Sequence, residues 1–219
     1  MSDIRPTPDD TPAAAAAPTV GDGGAGRFRV TPAPGGLRVV QDLLNTAPVS
    51  KRRDGVPDLL DAPDTAALWL GGHGIGGGSE AAGLSRLREL RDLVRRSLIA
   101  RDHAPDAAVT SPAAGVEATV GLRLAPDGTV DFTPGPLGVP ALVERVLVAL
   151  YDAQQARTWS RLKICRNPEC LVAFWDNSRN TSGVWHDVRT CGNSANLRKS
   201  RARRAATNSG SPSGTRSDS

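Results

Sequence analysis

Apolar residues recur at helical spacing in three stretches of the chain and alternate in a fourth. Val39, Val40, Leu43 and Leu44 repeat at helical intervals up to Asn45-Thr46. Leu84, Leu87, Leu90, Val94 and Leu98 mark one face of an amphipathic helix whose other face carries arginines and acids. A third helix begins near Pro140, a residue suited to a first turn, and runs through Leu142, Val143, Val146, Leu147 and Leu150 towards Trp159. Asp64 is placed to cap a shorter helix through Trp69 and Leu70. Ala118, Val120, Leu122 and Leu124 alternate with polar or small residues, Pro126-Asp127-Gly128 turns the chain, and Val130 and Phe132 resume the alternation, which predicts a β-hairpin. Residues 27–156 therefore read as an α+β domain of helices plus a hairpin.

Residues 157–206 follow a different pattern. Leu162 to Cys165 and Leu171 to Trp175 can flank a turn containing Asn167-Pro168-Glu169, and Asp176-Asn177-Ser178 makes a further turn. Gly192 permits tight backbone geometry after Cys191, and Asn193 can cap a helix to about Ala206, leaving Cys191 just before that helix. The expectation is a small zinc-ribbon-like module with a basic C-terminal helix. Residues 1–26, rich in proline and alanine, and residues 207–219, rich in serine, glycine and proline, hold too few large apolar side chains to offset the entropy of ordering. Both read as disordered tails.

Composition adds compartment and polarity. With 219 residues the chain can bury a core without covalent staples, and three cysteines cannot form a closed set of disulfides. No basic start leads into a secretion-type apolar stretch, so the cytosol is expected. The apolar run Val139 to Leu150 is interrupted by Glu144 and Arg145 and falls short of the roughly 20 residues that cross a bilayer, which predicts no membrane partner. All but three of the 27 basic residues are arginine, a bias expected of a GC-rich bacterial genome. Charge is uneven: residues 157–206 carry +8 of a total of +4, leaving −4 on the remainder.

Every cysteine falls in one window, as Cys165-x4-Cys170 and His186-x4-Cys191. Zn²⁺ favours four tetrahedral sulfur or nitrogen ligands taken in pairs from two turns, so Cys165, Cys170, His186 and Cys191 are the expected ligands of one structural zinc. Asp187 or water are alternatives to His186 in the fourth position. Four protein ligands leave no open position for catalysis, so metal loss should unfold the module rather than abolish a reaction.

Phe174-Trp175-Asp176-Asn177-Ser178-Arg179-Asn180, then Trp185-His186, then Cys191-Gly192-Asn193-Ser194, resemble the CGNR zinc-finger family over roughly residues 160–205. His186 stands where that family has a cysteine, Ser194 where it has the arginine of its name, and Gly183-Val184 where basic residues are expected. Upstream, Leu43-Leu44-Asn45-Thr46, an Asp-Leu-Leu segment and Trp69-Leu70 resemble the start of the α+β stress-regulator domain usually fused to this finger. The resemblance implies a stress-related transcriptional regulator.

Arg198, Lys199, Arg201, Arg203 and Arg204 crowd into seven residues after the last zinc ligand, and Arg179 lies between the ligand pairs. Such a helix can bind phosphate by counterion release and bidentate arginine contacts, making nucleic acid, DNA ahead of RNA, the expected partner. It could instead be simply solvated, or dock on an acidic protein as a non-catalytic interaction module with a purely structural zinc. Trp159, Trp175 and Trp185 could stack on bases, although Trp175 and Trp185 fit better as core beside the metal. The N-terminal domain is read as sensing a small molecule or binding a protein partner. Gly72-His73-Gly74-Ile75-Gly76-Gly77 formally fits a dinucleotide fingerprint but lacks the surrounding βαβ unit, and reads as a linker. His73 and His103 read as exposed loop residues. Nothing in the sequence supports an enzyme.

Overall fold

In the computed structural model the described residues are 27–47, 57–76, 80–103, 115–133, 135 and 137–208, with the side chains of 205–208 excepted. The tail assigned to residues 1–26 lies outside them, as do residues 209–219 of the tail assigned to 207–219 and Gly77 of the glycine-rich stretch. Among the described residues, five α-helices and two antiparallel hairpins follow one another as α1 (Leu37–Leu44), α2 (Pro63–Gly72), α3 (Ala81–His103), β1 (Gly121–Leu124), β2 (Val130–Thr133), α4 (Val139–Gln155), β3 (Leu162–Ile164), β4 (Ala173–Trp175) and α5 (Asn193–Asn208). The architecture is α+β. Helix α5 extends to Asn208, so residues 207 and 208 belong to it and not to the tail.

The three helical stripes become one core. Val40, Leu43 and Leu44 of α1, Leu84, Leu87, Leu90, Val94 and Leu98 of α3, and Leu142, Val143 and Val146 of α4 are buried together with Trp69 and Leu70 of α2. Helix α1 enters against α4 so closely that a Cβ at Gly36 would stand 2.9 Å from that of Ala149. The inward face of α3 is not wholly apolar, contrary to the sequence pattern. Arg91 is buried there, with Nη1 donating to Asp58 Oδ1 at 2.8 Å and to Thr46 Oγ1 at 3.0 Å. This ion pair ties the segment after α1 to α3, and removing one partner would strand the other charge away from water.

Two helix starts differ from expectation. Asp64 lies inside the first turn of α2, where its charge favours the positive end of the helix dipole, while Ala62 is the N-cap and Pro63 opens the helix. Asn193 also lies inside helical backbone: a wide turn over Val188–Gly192 runs straight into α5, and Asp187 caps it by accepting from the N–H of Arg189 at 2.7 Å and of Thr190 at 3.3 Å. Cys191 is therefore within the helical turn.

The β1–β2 hairpin pairs Leu122 with Phe132 and Leu124 with Val130, around the Asp127-Gly128 turn. These four apolar side chains are exposed. Helix α4 ends on a left-handed Arg157, with Thr158 N–H returning to Ala153 O at 2.9 Å, and a single tight turn over Trp159–Arg161 delivers the chain to β3. No helix among the described residues is long and apolar enough to cross a membrane.

The β3–β4 ribbon joins the two halves. Leu162 pairs with Trp175, Lys163 with Phe174 and Ile164 with Ala173. Alternation sends Leu162, Ile164 and Ala173 into the helical core, and Cys165, Val172 and Phe174 into a second cluster with Cys170, Cys191, Phe28 and Val30. Packing therefore crosses the boundary drawn at residue 157 from both sides. Three-residue strands are too short to stand alone, and both outer edges are met by side chains. At β4, buried Asn45 imitates a neighbouring strand, accepting from Ala173 N–H at 2.9 Å and donating to Ala173 O at 3.0 Å. At β3, Arg101 donates to Leu162 O at 2.7 Å and Asp102 Oδ2 accepts from Ile164 N–H at 3.4 Å.

Asn45→Ala leaves both backbone groups of Ala173 without this partner. Urea unfolding should show a loss of about 2–4 kcal/mol, against a change within about 0.5 kcal/mol for Asn196→Ala on exposed α5. Equal effects for the two would refute the clamp.

Candidate metal centre and basic helix

The first ligand pair sits on a knuckle after β3. Asn167 O accepts from Cys170 N–H at 2.8 Å, Asn167 Oδ1 accepts from Glu169 N–H at 3.2 Å, and Cys165 N–H reaches Val172 O at 2.9 Å, so the backbone folds back within six residues. The second pair comes from the Asp187-capped turn, where Cys191 N–H donates to Asp187 O at 2.9 Å. Both turns present their ligands to one point. The ligand atoms of Cys165, Cys170, His186 and Cys191 all lie within 4.8 Å of one another. His186 Nδ1 is 3.3 Å from Cys170 Sγ and 3.5 Å from Cys191 Sγ. Tetrahedral zinc, with Zn–S of about 2.3 Å and Zn–N of about 2.0 Å, places sulfur and nitrogen about 3.5 Å apart, so three sulfurs and one nitrogen fit it.

The electrostatics point the same way. The hydrogen bond from Cys170 brings the Cys165 thiol down to about 4 against burial, with His186 adding to the fall. Cys170 is pushed up by that same bond and by burial, and Cys191 by burial. Sulfurs this close resist carrying charge together unless a cation sits among them. His186 is the better fourth ligand, because the Asp187 carboxylate is occupied as the helix cap. Four protein ligands complete the coordination shell, and the site is of the structural kind.

Beside the metal turn lies a second polar centre that the sequence pattern did not reveal. Asp176 is buried, with Oδ2 accepting from Lys163 Nζ and Gly183 N–H at 2.8 Å each and Oδ1 accepting from Ser178 N–H at 2.9 Å. Burial acts to raise its carboxyl, yet these donors hold it well below the usual carboxylate range. Lys163 Nζ also donates to Thr181 O at 2.6 Å and Gly183 O at 2.9 Å. A Cβ at Gly183 would stand 2.7 Å from Asp176 Oδ1, which accounts for glycine where a basic residue was expected. The run Asp176-Asn177-Ser178 signalled a turn, but its link to Lys163 is a long-range pairing.

The basic residues divide by role. Arg161 Nη1 donates to the carbonyls of Asp176 and Ser178 at 2.9 Å each, so Arg161 and Lys163 brace the loop. Arg198 is also engaged, meeting Glu169 Oε2 at 3.0 Å, Asn167 Oδ1 at 2.6 Å and Ser194 Oγ at 3.2 Å. These contacts pin α5 to the knuckle. Lys199, Arg201, Arg203 and Arg204 are exposed along α5, and Arg179 is exposed on the loop after β4. Trp159 and Trp175 pack on the helical core and Trp185 on the cysteine cluster, each of them partly buried. His103 is half-buried at the end of α3, with Nε2 3.3 Å from Ile164 O, and His73 is 11% exposed at the end of α2. Neither is the exposed loop residue expected. Gly72 ends α2, so the glycine-rich stretch follows a helix and not a strand.

A helical domain carrying a closed Cys₃His centre and a basic helix defines a zinc-finger protein, and two family models agree. The CGNR zinc finger matches residues 161–204, and the ABATE domain, described as a putative stress-induced transcription regulator, matches residues 37–158. The second match spans more than half of the chain, and the protein belongs to that family. No curated protein matches it.

Two outcomes follow. Native mass spectrometry should find one zinc per chain, lost in Cys191→Ser together with the ordered turn and part of the α5 helicity seen by circular dichroism; retention of metal by that variant would refute the ligand set. Asp176, with its carboxyl lowered in the folded state, contributes stability that is complete above its ordinary value of about 3.9 and fades as pH falls below it. Asp176→Asn should thus flatten the acid limb of the urea-midpoint profile below about pH 4; an unchanged limb would show that Asp176 does not carry it.

Proposed function

We propose that this protein is a non-catalytic, zinc-dependent transcription regulator of a bacterial cytoplasm that binds nucleic acid, with duplex DNA as its target in preference to RNA. The observation that carries the reading is the placement of α5. The helix continues directly from the wide turn that holds Cys191, is braced on the knuckle by Arg198, and exposes Lys199 and Arg201 on its surface. A rigidly rooted helix presents its cations without the ordering cost that a flexible basic tail would incur on binding. Phosphate contacts made this way release counterions and orient the protein, while sequence reading requires further contacts at base edges. The family description as a stress-induced transcription regulator supports DNA over RNA. Zinc acts here only by shaping the turn.

Binding to a DNA duplex should weaken log-linearly with salt. Lys199→Ala and Arg201→Ala should each lower the slope by about 0.9 where the side chain meets a phosphate. Arg198→Ala should instead lower the melting temperature, because it frees α5 from Glu169 and Asn167. Absence of DNA binding at low salt, with an acidic protein retained by the same helix, would favour the interaction-module reading.

A further inference from the structure

The two faces of the β1–β2 hairpin differ in chemistry. Register and alternation put Leu122, Leu124, Val130 and Phe132 together on one face, and Gly121, Arg123, Asp131 and Thr133 on the other. The second face suits water: Arg123 Nη2 meets Asp131 Oδ2 at 3.1 Å, with both side chains largely exposed. The first face does not. Leu124 is 71% exposed, Leu122 67%, Val130 59% and Phe132 40%, and none of the four belongs to either buried cluster. Two short strands with an uncovered apolar face are marginal in water, and packing against a further layer is what makes them stable.

The apolar surface continues onto the helical domain. A groove of about 310 Å³ separates the hairpin from the outer side of α4, lined by Val120 and Phe132 together with Leu147, Val148 and Tyr151. Its one carboxylate, Glu144, is already bonded to Gly135 N–H. Leu122, Leu124, Val130, Phe132 and the half-exposed Tyr151 leave on the order of 500 Å² of side chain uncovered, the size at which patches on soluble chains mark interaction sites. Occlusion by an equal patch removes about 1,000 Å² in total, where specific protein interfaces begin.

The chain's own remaining segments are poorly suited to cover this surface, because the residues outside the described ones include no leucine and no aromatic. A second hairpin is well suited. Its centre is uncharged, and the nearest charges on it, Arg123 and Asp131, are paired with each other on the opposite face, so two copies meet without burying an unpaired charge. A patch that complements itself closes on a two-fold axis and leaves no open end.

We propose that two copies of this chain associate through their β1–β2 hairpins, the apolar faces packed on each other with Tyr151 at the border. An interface of this modest size makes the dimer reversible. The assignment rests neither on nucleic-acid binding nor on the metal.

Sedimentation velocity of the full zinc-loaded chain, without nucleic acid, should show monomer at about 1 µM passing to dimer by about 300 µM. Hydrogen exchange over residues 121–133 should slow across the same range. Leu122→Lys with Leu124→Lys, at positions outside both cores, should weaken the dimer about 100-fold or more with circular dichroism and bound zinc unchanged. Thr133→Lys, which adds charge on the opposite face, should change the dissociation constant by no more than about threefold. A chain that stays monomeric at the top of the range, or a dimer undiminished by the double lysine variant, would overturn the proposal. So would hairpin protection that does not depend on concentration, the result expected if another segment of the same chain covers the patch.

Discussion

The β3–β4 ribbon is the constraint on which the rest of the molecule depends. Two three-residue strands have a period of two and therefore two faces, and each face completes a different core. Leu162, Ile164 and Ala173 close the helical core, while Cys165, Val172 and Phe174 close the cluster beside the metal. A slip of one residue would exchange the faces, putting Lys163 among leucines and turning Cys165 away from its partner ligands. The register is held from outside by Asn45 on one edge and by Arg101 and Asp102 on the other. The helical domain thus supplies the neighbouring strands that a short ribbon lacks.

The metal centre inherits its precision from that ribbon. The knuckle is anchored in β3 and β4, and the Asp187-capped turn brings His186 and Cys191 to meet it. Zinc would hold the two turns together, and the turn carries α5 with it. The net charge of +8 on residues 157–206 overstates what faces solvent in a form suited to phosphate. Arg161, Lys163 and Arg198 are bound to carbonyls, carboxylates and amides of the module itself, where they replace a hydrophobic core too small to hold the loops.

Helix α1 links the two parts in a second way. Gln41 of the helix and Asn45 at its C-cap both donate to the Ala173 carbonyl of β4. An eight-residue helix and its C-cap thus join the helical core to the ribbon that carries the first zinc ligands. Any displacement of α1 would be felt at Ala173, because the two hydrogen bonds from Asn45 tolerate little movement.

Much of this was legible in the residues themselves. Apolar periodicity located α1, α3, α4 and the β1–β2 hairpin, since burial of a stripe or an alternating face follows directly from local spacing. The four ligands were legible because zinc chemistry accepts few side chains and the pairs have matched spacing. What local pattern could not disclose were the polar groups that act across long separations: Asn45 with Ala173, Asp58 with Arg91, Asp176 with Lys163, and the insertion of Phe28 and Val30 beside the cysteines. Arg198 reads the same as Lys199 in a list of charges, yet only one of them finds Glu169 and Asn167 across the knuckle. Sequence alone determined which segments fold and which atoms can bind the metal, because both depend on neighbouring residues. Tertiary structure decided which charges are bound inside and which face water, because that depends on partners that only the completed fold brings within reach.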